Sequence, residues 1–118
     1  MSRLAAGQRV DVYGIYFDFN SDRVRPESEP VLRDIGEILR RNQEWRLYID
    51  GHTDGTGSAA ANMDLSRRRS EAVRAALIGH GIAADRLSTR GYGATVPRDT
   101  NVTPKERSRN HRVELVRQ

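Results

Sequence analysis

Hydrophobic residues recur along this chain in two rhythms, one of period two and one near 3.6. Val10-Asp11-Val12-Tyr13-Gly14-Ile15-Tyr16-Phe17 is dense in β-branched and aromatic residues and predicts a first strand. Asp18-Phe19-Asn20-Ser21-Asp22 breaks it, because Asx and Ser side chains hydrogen-bond a turn backbone. Pro26 and Glu27 suit a helix start, and Val31, Leu32, Ile35, Ile38 and Leu39 then fall on one apolar stripe. Arg40 and Arg41 lie at the end of that helix, where the dipole favours cations. Trp45 to Ile49 predicts a second strand, with Trp45, Leu47 and Ile49 on one face and Arg46 and Tyr48 on the other. After a glycine-rich turn, Ala59 to His80 predicts a long second helix closed by Gly81. Leu87 to Tyr92 reads as a third strand and Asn110 to Arg117 as a fourth, alternating around Val113 and Leu115. Pro97 to Asn110 between them reads as a polar connection with a short helical turn from Pro104.

That order predicts an α+β class: a βαβαββ two-layer sandwich, one mixed four-stranded sheet with helices packed on one face. With 118 residues and no internal repeat or linker, the chain is expected to form a single domain over residues 1–118, its core at about 10–117. Cysteine is absent, so neither disulfides nor thiolate metal sites support the fold. The longest apolar stretches are four or five residues, so no membrane insertion by this domain is expected. No basic-then-apolar leader precedes the first strand, and Met1-Ser2-Arg3 reads as the start of an excised domain. A net charge of +4 and a pI near 10.1 raise the question of nucleic acid. Lys105 is the only lysine, the arginines are scattered among acids, and the few aromatics do not interleave with them. No stacking platform is visible, no nucleic acid is expected, and the arginines read as a solvated surface.

One arginine does not fit that reading. At about 100° per residue, Arg69 falls about 40° from Leu65, among Asn62, Ala72, Val73 and Ala76, whereas Arg67 and Arg74 fall opposite. An arginine cannot shed its charge, and burying it unpaired costs several kcal/mol. Arg69 therefore needs a partner. The second helix begins after Thr53-Asp54-Gly55-Thr56-Gly57, where free backbone N–H groups favour an anion and the glycines leave room for a ligand. Asn62 lies two turns before Arg69 on the same face, so both can border one cavity, with the Asp54 carboxylate at its rim. Such a pair of charges can hold a zwitterion. A plainer account, compatible with the first, is that Asp54 caps the helix and pairs internally with Arg69.

Other chemistries find less support. Asp50, His52 and Asp54 alternate like metal ligands, but a strand ending at Gly51 breaks the alignment, so neither a metal nor a cofactor is expected. An enzyme would have to use Asp54 and His52. No Gly-x-Ser-x-Gly elbow or His-Glu-x-x-His motif occurs, so no catalytic residue is assigned.

Tyr16-Phe17-Asp18-Phe19-Asn20-Ser21-Asp22 resembles the strand-end signature of the OmpA-like domain, the peptidoglycan-associated module named for the C-terminal half of outer-membrane protein A. Gly51-His52-Thr53-Asp54 with Gly57, Asn62, Leu65-Ser66 and Arg69 is similar to its second motif. Gly79-His80-Gly81-Ile82, Arg86-Leu87, Gly91-Tyr92-Gly93 and Pro97 resemble the third. Asn101, Thr103, Glu106, Arg107 and Asn110-His111-Arg112-Val113-Glu114-Leu115 resemble the last. The match runs from about Tyr13 to Val116.

This resemblance implies non-covalent binding of peptidoglycan through the meso-diaminopimelate of its stem peptide, anchoring a parent envelope protein to the cell wall. Asp54 matches the aspartate that accepts the ammonium, and Arg69 the arginine that clamps the carboxylate with its planar fork. Asn62 matches a pocket-lining asparagine beside Thr53, and the turn at Phe19 and Asn20 is expected to offer backbone groups. The family usually has two arginines after the asparagine, and here the first is His111, whose neutral imidazole is expected to weaken contacts at the pocket edge or make them pH-dependent. A periplasmic place at the outer membrane or cell wall is implied likewise. The alternatives are a cell-wall amidase or hydrolase, and a protein-interaction module in an envelope or secretion complex.

Overall fold

The computed structural model describes residues 6–55, 57–95 and 112–118. Four strands form one sheet: β1 (Arg9–Val12), β2 (Leu47–His52), β3 (Leu87–Gly93) and β4 (Arg112–Arg117), in the order β1-β4-β2-β3. β2 and β3 are parallel, while β4 runs antiparallel to both β1 and β2. The sheet is therefore mixed, as the element order predicted. Two helices, α1 (Glu29–Arg41) and α2 (Ala59–Gly79), cover one face. Leu32, Ile35 and Leu39 of α1 and Val73 and Leu77 of α2 share one core with Leu47, Ile49, Leu87, Val113 and Leu115. The apolar stripe predicted for the first helix is thus its buried side.

The first strand is shorter than the pattern predicted. It stops at Val12, which pairs with Val113, one residue inside the start of β4. Gly14 then passes so close to Val31 that a Cβ there would collide with its side chain. Beyond it, Phe17 bridges Val24 in a narrow hairpin. The second strand begins two residues later than predicted and runs on to His52, through Gly51 rather than ending there. Gly51 is needed as a strand residue: the α2 backbone at Ser66 lies against it, and a Cβ would meet the Ser66 carbonyl carbon at 3.0 Å. A short 3-10 turn, Pro26–Ser28, leads into α1. α2 ends at Gly79, followed by Gly81 at φ +91°, the left-handed conformation expected beyond a helix end. The predicted 97–110 connection and its helical turn lie outside the described residues.

Several arginines are structural clamps, not solvated decoration. Arg86 donates to the carbonyls of Trp45, Leu39 and Asn42 at 3.0, 2.8 and 2.7 Å and so closes the end of α1. Arg74 donates to the Leu87 and Ala84 carbonyls, both at 2.9 Å. The reading of arginine as a surface preference is corrected at these positions: each side chain donates to main-chain carbonyls at the ends of helices and strands.

Candidate functional site

The site forms where the hairpin after β1, the turn after β2 and the start of α2 converge. Arg69 is 6% exposed, on the inward face of α2 as the helical wheel predicted. Its Nε–H donates to the Ser21 carbonyl at 2.8 Å, and Nη2 lies 3.4 Å from the Asp18 carbonyl. The guanidinium carbon stands 4.8 Å from the centre of the Phe17 ring. Burial lowers the Arg69 pKa from its usual value and the neighbouring Arg68 adds to this, whereas the charges of Asp22 and Asp54 act in the opposite direction. Asp54 is thus an electrostatic neighbour of Arg69, and Asp22 on the hairpin is a second one that motif spacing did not single out.

The hairpin is a built turn. Asp18 N–H donates to the Arg23 carbonyl and Ser21 N–H to the Asp18 carbonyl, each at 3.1 Å. Arg23 Nη1 donates to Asp18 Oδ2 at 2.8 Å. Asn20 takes φ +51°, a conformation that Asn tolerates better than most residues, and Phe19 beside it is 99% exposed. Arg68 reaches Asp22 at 3.6 Å, tying the hairpin to α2 from outside as Arg69 does from within.

On the other side, Asn62 Nδ2 donates to the Asp54 carbonyl at 3.3 Å, so Asn62 holds the turn that carries the acid. Helix capping falls to Ser58, whose Oγ accepts from Ala61 N–H at 3.1 Å. The expectation that Asp54 caps α2 is corrected: three residues, among them Gly57 at φ +88°, separate it from the cap. That leaves the half-buried Asp54 carboxylate at the rim. Thr53 N–H donates to the Gly93 carbonyl at 2.8 Å, and its buried Oγ1 makes no hydrogen bond among the described residues. Ser66, fully buried, accepts from Gly93 N–H at 2.8 Å and joins the ends of β2 and β3 to α2. His111 and Thr56 lie outside the described residues.

Among the described residues, a cleft with about 20 Å³ of water-sized room lies behind Arg69, between Phe17, Gly51, Ser66 and Arg112. Arg69 lines it and Asn62, bonded to the Asp54 carbonyl, does not. Below it, on the sheet face away from the helices, His52 Nε2 lies 3.2 Å from Glu114 Oε1. Glu114 also meets Arg9 at 2.9 Å and Arg112 at 3.5 Å. Asp50, which alternates with His52, is held by both oxygens on Arg90. No group of three or more potential metal ligands occurs among the described residues.

Comparison with known proteins gives this arrangement a family. Residues 16–111 match the sequence profile of the OmpA family. Outer membrane protein A of Bordetella avium is 36% identical over 100 residues, which cover 85% of this chain and 52% of that protein. Peptidoglycan-binding protein ArfA of Mycobacterium tuberculosis is 36% identical over 91 residues, 77% of this chain and 28% of the relative. The crystal structure of the peptidoglycan-associated lipoprotein from Burkholderia pseudomallei superposes with a TM-score of 0.80 at 29% identity, covering 88% of each chain. The chain belongs to the OmpA family. It spans 28% and 52% of the length of the two curated relatives above.

Proposed function

We propose that this chain is a single peptidoglycan-binding domain that takes the diaminopimelate of a stem peptide and so anchors a parent protein to the wall, in the periplasm. The observation that carries this reading is Arg69: a buried guanidinium with Nε committed to the Ser21 carbonyl and Asp54 close enough to act on its charge. The Ser21 bond fixes the plane of the fork, and a ligand carboxylate supplies the full counter-charge that carbonyls lack. Asp54, held on its turn by Asn62, accepts the ligand ammonium. Thr53, Phe19, Asn20 and His111 complete the proposed contacts. The relatives named for peptidoglycan support the ligand class.

Affinity for so small a zwitterion is expected to be on the order of micromolar to millimolar, roughly −8 to −4 kcal/mol. Many copies along a wall would make attachment firm. The test is a calorimetric titration with meso-diaminopimelate against lysine, which lacks the second carboxylate. Preference for diaminopimelate is expected, and equal responses to the two would remove the arginine clamp. Incubation with purified sacculi separates binding from hydrolysis, since an enzyme would release soluble fragments.

A further inference from the structure

Two acids act on the charge of Arg69, and the stem-binding reading uses only one of them. Asp54, at the rim, receives the ligand ammonium in that reading. Asp22 lies on the hairpin, one residue beyond Ser21, whose carbonyl accepts the Arg69 Nε–H at 2.8 Å. Of the two, Asp22 acts on the guanidinium the more strongly. The acids therefore flank Arg69 from different elements, one from the hairpin and one from the turn after β2. Among the described residues the ion-pair partner of Asp22 is Arg68, 3.6 Å away, with both side chains partly in solvent. Arg68 is held more closely by Asp64, to whose Oδ2 its Nε donates at 2.8 Å. So long and exposed a contact, to a cation already committed elsewhere, leaves the Asp22 charge largely uncompensated.

That charge bears on the two heads of a zwitterion with opposite sign. A carboxylate settling on Arg69 comes up to the guanidinium that Asp22 already attracts, and the two anions repel. An ammonium is drawn in by the same field. Asp54 differs from Asp22 because the ammonium it receives cancels it in the filled site. A bare carboxylate would set three negative charges, Asp22, Asp54 and its own, against the buried Arg69. A carboxylate that brings its own ammonium meets a cleft much closer to balance.

We infer that Asp22 is a selectivity residue of the stem site: placed on the hairpin that holds Arg69, it makes the arginine accept a carboxylate only in company with an ammonium. This rests on the stem-binding reading above. The test titrates the 118-residue chain and its Asp22→Asn variant with three ligands. They are meso-diaminopimelate, lysine, and pimelate, which keeps the carbon chain and both carboxylates but has no amine. The Asp22 side chain is half exposed, so the variant is expected to fold. Pimelate affinity is expected to rise about three- to tenfold, the size of one charge–charge repulsion at a partly solvated surface. Diaminopimelate gains less, and lysine gains nothing or binds more weakly. The preference for diaminopimelate over pimelate therefore narrows while its preference over lysine widens. A variant that keeps both parental ratios, or moves both in the same direction, overturns the role of Asp22 and leaves the stem site standing. A parent that binds diaminopimelate no better than lysine overturns the stem site and the role of Asp22 together. Where pimelate is too weak to titrate in either protein, the lysine ratio decides alone: widening supports the role of Asp22, and its absence overturns it.

Discussion

A guanidinium buried as deeply as Arg69 keeps its charge only where its surroundings replace lost water. Here two carbonyls and a ring do so from one side, with Asp22 and Asp54 as the nearby negative charges. Lysine cannot reproduce this, because one ammonium cannot hold the Ser21 carbonyl and still present two parallel donors to a ligand. Arg69→Ala is expected to lose roughly 2–5 kcal/mol of diaminopimelate binding, and Arg69→Lys an intermediate amount, as read by calorimetry. A lysine variant that binds like the parent would show that point charge, not the fork, is what matters. The inward position of Arg69 was legible from helical periodicity alone. Its partners were not: the Ser21 and Asp18 carbonyls lie 48 and 51 residues away, and a backbone carbonyl leaves no mark in sequence. For the same reason Arg74 and Arg86 looked like surface charge.

Among the elements, the turn after β2 separates two roles that the sequence let one residue fill. Ser58 caps α2, so Ser58→Ala should cost about 1 kcal/mol of stability in urea unfolding. Asp54→Asn should leave stability nearly unchanged and weaken ligand binding, since its cap role is absent. The reverse pattern, a stable Ser58→Ala and an unfolded Asp54→Asn, would return the acid to a structural part. Gly51 shows a second limit of pattern reading. Glycine before a turn looks like a strand end, yet what it marks is the approach of the α2 backbone, a contact made only once the chain has folded. Gly51→Ala should therefore destabilise by roughly 2–4 kcal/mol, because backbone on both sides must yield. An alanine variant melting with the parent would mean that α2 can shift at little cost. The helix boundaries were more legible, because their apolar spacing repeats over many residues, as at Leu32, Ile35 and Leu39.

Across the whole molecule, the sheet has two unlike faces, and only one was legible. Val113 and Leu115 were read as the inward side of β4, and they are buried in the core. Alternation implied that Arg112 and Glu114 face solvent, but Glu114 is fully buried and Arg112 nearly so. The register explains this. Asp11, Glu114 and Asp50 stand side by side across β1, β4 and β2, three carboxylates in one row. Like charges so placed repel, and Arg112, Arg9 and Arg90 lie over them, from neighbouring rows and strands. Period-two patterning reports which side a residue takes, not what later lies across it. The layer predicts an asymmetry. Glu114→Gln removes the fully buried carboxylate that both Arg112 and His52 face and should cost roughly 3–5 kcal/mol. Arg9→Ala removes a half-exposed partner of the same carboxylate and should cost less than about 1 kcal/mol, since water takes its place. Urea unfolding of the two variants reads the difference directly. Similar losses in both would mean that the carboxylate depends on its exposed partner as much as on its buried ones, and that this face is held from its rim.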